Sequence, residues 1–202
     1  MKDVMGLIYT GENDIHLGEL TSVRAVAALP IAGRYRVIDF QLSSMTHTGI
    51  KRVGIITQKN YQSLMDHLGS GREWDLHGKN DGLHILPPFL TRENIGVYSG
   101  TLDALRSNTD YLTRSKQEYV VFSGSEIIYN AKLDEMVKYH KETGADVTVM
   151  YTRDPSMQRD EHGTYLTVGE NGVGATFPGG ITVGSEVDSL TLAACLGEGM
   201  AY

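Results

Sequence analysis

Apolar positions come in short blocks separated by amphipathic stretches. Val4–Tyr9 and "VGIIT" at Val53–Thr57 are continuous apolar runs of strand length, as expected of strands buried on both faces. Tyr119–Ser123 and Asp146–Tyr151 read as two further strands. Between them lie stretches of helical pattern. Asp39–His47 is predicted as a helix with Asp39 at its N-cap and Gly49 just past its end. Tyr61–Leu68 is a second, stopped by Gly-Ser-Gly. Thr101–Thr113 is a third, with Leu102, Leu105 and Leu112 on one side. Leu133–Thr143 is a fourth, with Asn130 before it and Gly144 after it. Gly69–Ser99, which holds Leu-Pro-Pro and the only tryptophan, Trp74, is expected to be a loop. Strand and helix alternate, which predicts an α/β fold with a mostly parallel sheet. In such sheets ligands sit outside the carboxyl ends of the strands. The loops Thr10–Leu20, Gln58–Asn60, Ser99–Asp103 and Gly124–Tyr129 should therefore surround one crevice.

The last part of the chain differs. Lys and Arg stop at Arg159, and from Gly163 on glycine dominates. Gly163–Val168 is a candidate strand and Leu190–Leu196 a short apolar element. Residues 1–170 are expected to form the domain, and 171–202 an atypical Gly-rich tail, truncated or altered.

Composition narrows the function. The 202 residues are 41% hydrophobic and carry a net charge of −7, enough for a core and wrong for a general nucleic-acid or anionic-membrane binder. One cysteine rules out an internal disulfide and a Cys-based zinc site, and fits a reducing, cytoplasmic setting. No apolar stretch reaches membrane length, and the first residues do not form a signal peptide. The seven histidines show no ligand spacing; His77 and His84 lie seven apart in a Gly-rich stretch.

Four segments at the expected crevice bear on chemistry. A triphosphate loop needs glycine backbone and positive charge. "TGENDIHLGEL" has Gly11 and Gly18 but also Glu12 and Asp14. A carboxylate about 4 Å from a phosphate charge costs about 1 kcal/mol in water and about 4 at intermediate dielectric. Neither a G-x-G-x-x-G nor a Walker A pattern is present. In "AGRYRVIDF", Arg34 and Arg36 alternate and share a face if extended. With Arg24, Lys51 and Arg52 they are either a basic cluster or a solvated face with weak ion pairs. In "YSGTLDALRSN", Gly100 precedes a helix whose first turn holds Thr101 and Asp103, as caps or as a ligand approach. In "VVFSGSEIIYN", Ser125 sits past a strand end where an acidic metal ligand would be expected, and a neutral hydroxyl is a poor Mg²⁺ ligand. Glu126 is adjacent but points elsewhere on an extended chain.

The segments "LTSVRAVAALPIAGRYRVIDFQLSSMTHTGIKRVGIITQ", "YSGTLDAL" and "YVVFSGSEIIYN" resemble the N-terminal, Rossmann-like nucleotidyltransferase domain of bacterial glucose-1-phosphate adenylyltransferase (ADP-glucose pyrophosphorylase), over roughly residues 4 to 170. The resemblance implies ATP and glucose 1-phosphate as substrates, Mg²⁺ as cofactor and glycogen biosynthesis as context. Several positions depart from the family. Its G-G-x-G-T-R-L is here Gly11 to Leu17, with His16 for the arginine that grips the triphosphate. Its R-A-K-P is Arg24 to Ala27, with Val26 for the lysine. Its Y-R-G-T-A-D-A has Ser99 for the arginine, and its G-D-H-I-Y has Ser125 for the metal-binding aspartate. The pattern resembles the GlgD-type regulatory subunit, a non-catalytic paralogue that pairs with a catalytic subunit. On that basis no catalytic residue, metal or cofactor is expected in this chain. Gly11, Gln58, Gly100, Thr101 and Asp103 would be a remnant nucleotide pocket. Arg34, Arg36 and Arg52 would receive a phosphorylated sugar or nucleotide effector, and a catalytic subunit would be the hetero-oligomeric partner. The family's glucose-binding strands and C-terminal β-helix are not recognisable. Two alternatives stay open: an active sugar-1-phosphate nucleotidyltransferase with Glu126 on the metal, or a truncated interaction module that binds neither.

Overall fold

The computed structural model describes residues 1–11, 15–78, 81–88, 97–125 and 127–150, with residues 15, 16 and 192–195 as backbone only. The expectations placed on Glu12, Asp14, Glu126, Gly163–Val168 and most of the tail lie outside the described residues, as does the side chain of His16.

The strands in chain order are β1 (Val4–Tyr9), β2 (Pro30–Ile31), β3 (Tyr35–Arg36), β4 (Arg52–Ile56), β5 (Gly82–Leu86), β6 (Tyr119–Gly124), β7 (Val147–Val149) and β8 (Leu192–Cys195). Six of them form one sheet in the order β5-β4-β1-β6-β8-β7. β5, β4, β1 and β6 are mutually parallel, while β8 runs antiparallel to both β6 and β7. β2 and β3 form a separate hairpin. Within the apolar element expected at Leu190–Leu196, Leu192–Cys195 form strand β8, paired between β6 and β7.

The helices are α1 (Val37–His47), α2 (Gln62–Leu68), α3 (Thr101–Ser107), α4 (Thr109–Thr113) and α5 (Leu133–Thr143). Alternation along β1 explains the layers. Val4 and Ile8 point into a core with Ile38, Leu42 and Met45 of α1, Leu64 and Leu68 of α2, and Leu133, Met136 and Val137 of α5. Met5, Leu7 and Tyr9 point the other way, to Ala104 of α3 and Leu112 of α4. Gly6 is needed where α1 crosses β1, because a Cβ there would lie 2.5 Å from Met45 Sδ.

Three sequence expectations are corrected. The helix placed at Asp39 begins at Val37, and its N-cap is Arg36; the Asp39 carboxylate reaches back to accept the Arg36 N–H at 2.9 Å. The stretch read as a loop at Gly69–Ser99 contains β5 and a 3-10 turn, Arg72–Trp74. The single helix at Thr101–Thr113 is two, broken at Asn108, whose side-chain amide donates to the Ala104 carbonyl at 2.8 Å and to Tyr98 Oη at 3.3 Å. Leu102 consequently faces solvent, 81% exposed, while Leu112 stays buried. The last helix lies where expected, after Asn130, with Lys132 at its N-cap position making no side-chain cap bond, and it ends on Gly144 in the left-handed region.

Candidate functional site

The chain crosses from β1 to β4 and β5 on one side and returns to β6 on the other. The direction of winding reverses beside β1, and the crevice outside the carboxyl ends of β1, β4 and β6 is the expected ligand position. Tyr9 and Gly124 are register partners, as are Tyr9 and Ile56. Thr10 and Gly11, Thr57 and Gln58, and Ser125 therefore come together at the floor.

The described part of this floor is buried and neutral. Thr10 is 5% exposed, Gln58 8% and Ser125 1%. Tyr9 Oη donates to Gln58 Oε1 at 2.8 Å, and Gln58 Nε2 donates to the Tyr98 carbonyl at 3.1 Å. Thr10 Oγ1 donates to the Ile56 carbonyl at 3.2 Å. On the β6 side, Ser123 Oγ donates to Gln41 Oε1 at 3.1 Å, and Gln41 Nε2 donates to the Ile127 carbonyl. The rim is open: Ser99 and Gly100 are exposed, and a Cβ on Gly100 would meet nothing within 4 Å. Asp103 Oδ2 accepts the Ser99 N–H at 2.9 Å, so its carboxylate is engaged in holding the entry to α3.

Gly11, Gln58, Gly100, Thr101 and Asp103, expected to form a remnant pocket, all lie at this end of the sheet. Tyr9, Tyr98 and Gln41 join them there without having been singled out from sequence. Tyr9 looked like one more residue of an apolar strand; its signal was an aromatic hydroxyl at the last strand position before Thr-Gly.

The three arginines do not gather at one place. Arg36 Nη1 donates to Ser63 O at 2.8 Å, to Ser63 Oγ at 2.7 Å and to the Ala28 carbonyl at 3.3 Å, tying β3 to α2 and the 3-10 turn Val26–Ala28. Arg34 is exposed on the β2–β3 turn. Arg52 begins β4, with its guanidinium 4.9 Å from the centre of the Tyr111 ring. α1, whose 11 residues span about 16 Å, carries the chain from Arg36 at the carboxyl end of the sheet toward the opposite end, where β4 starts. Lys51, beside Arg52, pairs with Asp75 on the surface at 3.2 Å.

Mg²⁺ prefers carboxylate oxygens. The described floor offers hydroxyls, a carboxamide and backbone, and no group of three or more His, Cys, Asp or Glu that could hold a metal occurs among the described residues. The described residues therefore do not fit that ion. His77 lies 3.8 Å from Asp75 on the surface, while His84 packs on Tyr111 with ring centres 5.4 Å apart. Burial and the nearby Arg52 lower the His84 pKa. Burial raises that of Tyr111 to about 12, with Arg52 partly opposing. No described helix is long and apolar enough to cross a membrane.

A sheet of this order, with helices on both faces and a crevice beside its central strand, is the architecture of a nucleotide-handling transferase. The family model described as nucleotidyl transferase matches residues 6–175, and the chain belongs to that family. Among curated relatives, it is 35% identical over 166 residues to the glucose-1-phosphate adenylyltransferase of Halalkalibacterium halodurans, covering 82% of this chain and 43% of that protein. It is 43% identical over 143 residues to the glycogen biosynthesis protein GlgD of Bacillus subtilis, covering 70% of this chain and 41% of that protein. The chain thus spans about two fifths of the length of these relatives. A solved structure described as a glucose-1-phosphate thymidylyltransferase of Bacillus anthracis, in complex with sucrose, superposes with a TM-score of 0.64 at 18% identity. It covers 83% of this chain and 61% of that one, and at that identity it speaks for the fold alone.

Proposed function

We propose that this chain acts in glycogen biosynthesis as a regulatory, catalytically impaired subunit of glucose-1-phosphate adenylyltransferase, pairing with a catalytic subunit. The observation that carries this is Ser125. It stands at the carboxyl end of β6, 1% exposed, where phosphoryl transfer would want a carboxylate to hold a cation. The neutral floor around it supports the same conclusion, as does similarity to both GlgD and the adenylyltransferases. Losing a metal clamp removes several kcal/mol of transition-state stabilisation, which is orders of magnitude in rate. What remains is a frame of the right shape, available to a partner of the same family. An effector at Arg34 belongs to this proposal, with Arg36 contributing mainly by holding the hairpin in place.

The test is ADP-glucose synthesis with ATP, glucose 1-phosphate and Mg²⁺, comparing the chain, its Ser125→Asp variant, and each mixed with a catalytic adenylyltransferase subunit. The expected result is no turnover by the chain alone and altered apparent affinity or rate in the mixture. Turnover by the unmodified chain overturns the claim of impairment. Kinetics of the catalytic subunit that do not change on mixing overturn the claim of regulation.

A further inference from the structure

Gly11 is a floor position where a bare backbone would let a flat group lie against the chain, and side chains already fill that space. A Cβ built on Gly11 would sit 2.0 Å from Gln58 Oε1, 2.4 Å from Tyr9 Oη and 2.5 Å from Tyr9 Cζ. A planar ring stacked on that backbone needs about 3.5 Å of clearance. The carboxamide of Gln58 takes that room, with its oxygen toward Gly11 and Tyr9 and its nitrogen 3.1 Å from the Tyr98 carbonyl. Both ends of the amide are therefore hydrogen-bonded, and both residues are nearly out of solvent, Tyr9 at 2% and Gln58 at 8% exposed. Register places the three side chains together: Tyr9 pairs with Ile56, so both face α3 and α4, and Gln58, two residues on, shares that side.

We propose that Tyr9 and Gln58 close the slot between Gly11 and Tyr98 from within, so that the crevice of this chain excludes a purine ring. The closure is a specificity device separate from the loss of charge: Ser125 and the other neutral substitutions weaken phosphate and metal binding, whereas Tyr9 and Gln58 bar the base. Opening the slot requires breaking the Tyr9–Gln58 and Gln58–Tyr98 bonds and moving a phenol out of the core. The inference rests on the nucleotidyltransferase assignment of this crevice.

The probe is adenosine, which carries no phosphate and is blind to the charge substitutions. Isothermal titration of adenosine is run on the chain, on Tyr9→Leu, on Gln58→Ala and on the double variant, with circular dichroism to check folding. The expected result is no saturable binding by the chain up to about 1 mM and at least about tenfold tighter binding by a variant with the slot vacated. Micromolar adenosine binding by the unmodified chain overturns the proposal. So does a folded double variant that binds no better than the parent. Gln58→Ala alone leaves Tyr9 Oη and Cζ within 2.5 Å of the Cβ position on Gly11, so the double variant Tyr9→Leu with Gln58→Ala is the one that vacates the slot; if it does not fold, the titration of the parent chain decides. The outcome is distinguishable from that of the mixing experiment. A chain that alters a catalytic subunit and yet binds adenosine refutes the closed slot alone; one that binds no adenosine and alters nothing refutes the regulatory assignment alone.

Discussion

Replacing Tyr9 by Phe and Gln58 by Leu, singly and together, isolates the bond on which the crevice floor depends. Tyr9 Oη donates to Gln58 Oε1 over 2.8 Å, and both groups are buried. A buried neutral hydrogen bond contributes about 1 kcal/mol net, and a partner left unsatisfied costs about 1–3 kcal/mol. Tyr9→Phe removes the donor and leaves the Gln58 oxygen facing a ring edge, a loss of about 1–2 kcal/mol. Gln58→Leu removes that acceptor and also the donation to the Tyr98 carbonyl at 3.1 Å. Its loss should be about 2–4 kcal/mol, reduced by the apolar surface that leucine buries. In the double variant neither side chain keeps the polar group that faced the other. Its loss should therefore fall short of the sum of the single losses by about 1 kcal/mol. Urea unfolding of the four proteins measures this directly, and for a chain of this length 1 kcal/mol is about 2–4 °C in Tm. Losses that add to within about 0.5 kcal/mol would refute a coupled Tyr9–Gln58 floor.

Three further outcomes follow from the packing. Arg36→Ala should cost about 2–4 kcal/mol, because Ser63 and Ala28 carbonyls lose a charged donor, and Arg34→Ala should stay within about 0.5 kcal/mol; equal shifts in Tm for the two would contradict the structural role of Arg36. Gly54→Ala puts a Cβ 2.7 Å from Tyr111 Cε1 and 2.9 Å from Leu7 Cδ1, and the overpacking should cost about 1–3 kcal/mol in chemical denaturation; an unchanged midpoint would show that the Tyr111 ring moves aside freely. His140 is 1% exposed, and burial first, then Lys141, lowers its pKa below the ordinary 6.5, with Asp146 opposing. The unfolded chain therefore takes up the proton first as pH falls, so stability is complete above 6.5 and declines below it. His140→Gln should flatten that decline, and an identical acid slope in the variant would rule His140 out as its source.

Sequence pattern was most informative where elements are buried on both sides. β1, β4 and β6 are apolar runs because helices cover both faces of the sheet, and that signal does not depend on tertiary detail. β5 was hidden because it is an edge strand, half-buried from Leu83 on, with a histidine inside it and Gly- and Pro-rich flanks. The break at Asn108 was hidden because the Asn108 side chain turns to partners that the helical pattern does not show, the Ala104 carbonyl and Tyr98 Oη. At the site, Gly11 and Gln58 could be picked out one by one, but no one-dimensional pattern says that the amide of one lies against the backbone of the other. Arg52 looked clustered with Arg34 and Arg36 because they are close in sequence, and the length of α1 separates it from them.

Two carboxamides, one on each side of β1, hold the crevice in shape. Gln58 joins the end of β1 to the entry of α3 through Tyr9 and the Tyr98 carbonyl. Gln41, 1% exposed on α1, joins β6 to the segment after Ser125 through Ser123 Oγ and the Ile127 carbonyl. A glutamine amide donates and accepts at once, so each can bridge two backbone or hydroxyl partners with no ion and no ligand. A turn organised by a metal or a phosphate would loosen when that group left, because its carboxylates or backbone N–H groups would then face each other or nothing. Among the described residues the ends of β1 and β6 are held by neutral groups of the chain itself, while the Thr57 hydroxyl past β4 is buried without a hydrogen-bond partner. Such a floor, in its described part, holds its conformation independently of occupancy. The same reasoning sets the behaviour of Ser125→Asp: a carboxylate placed between these neutral bridges, at a position 1% exposed, meets no cation among the described floor residues. Its pKa should rise and the domain should lose stability above that pKa, so that Ser125→Asp melts earlier at neutral pH than at mildly acidic pH. A variant as stable as the parent across that range would mean that the floor opens to solvent around residue 125.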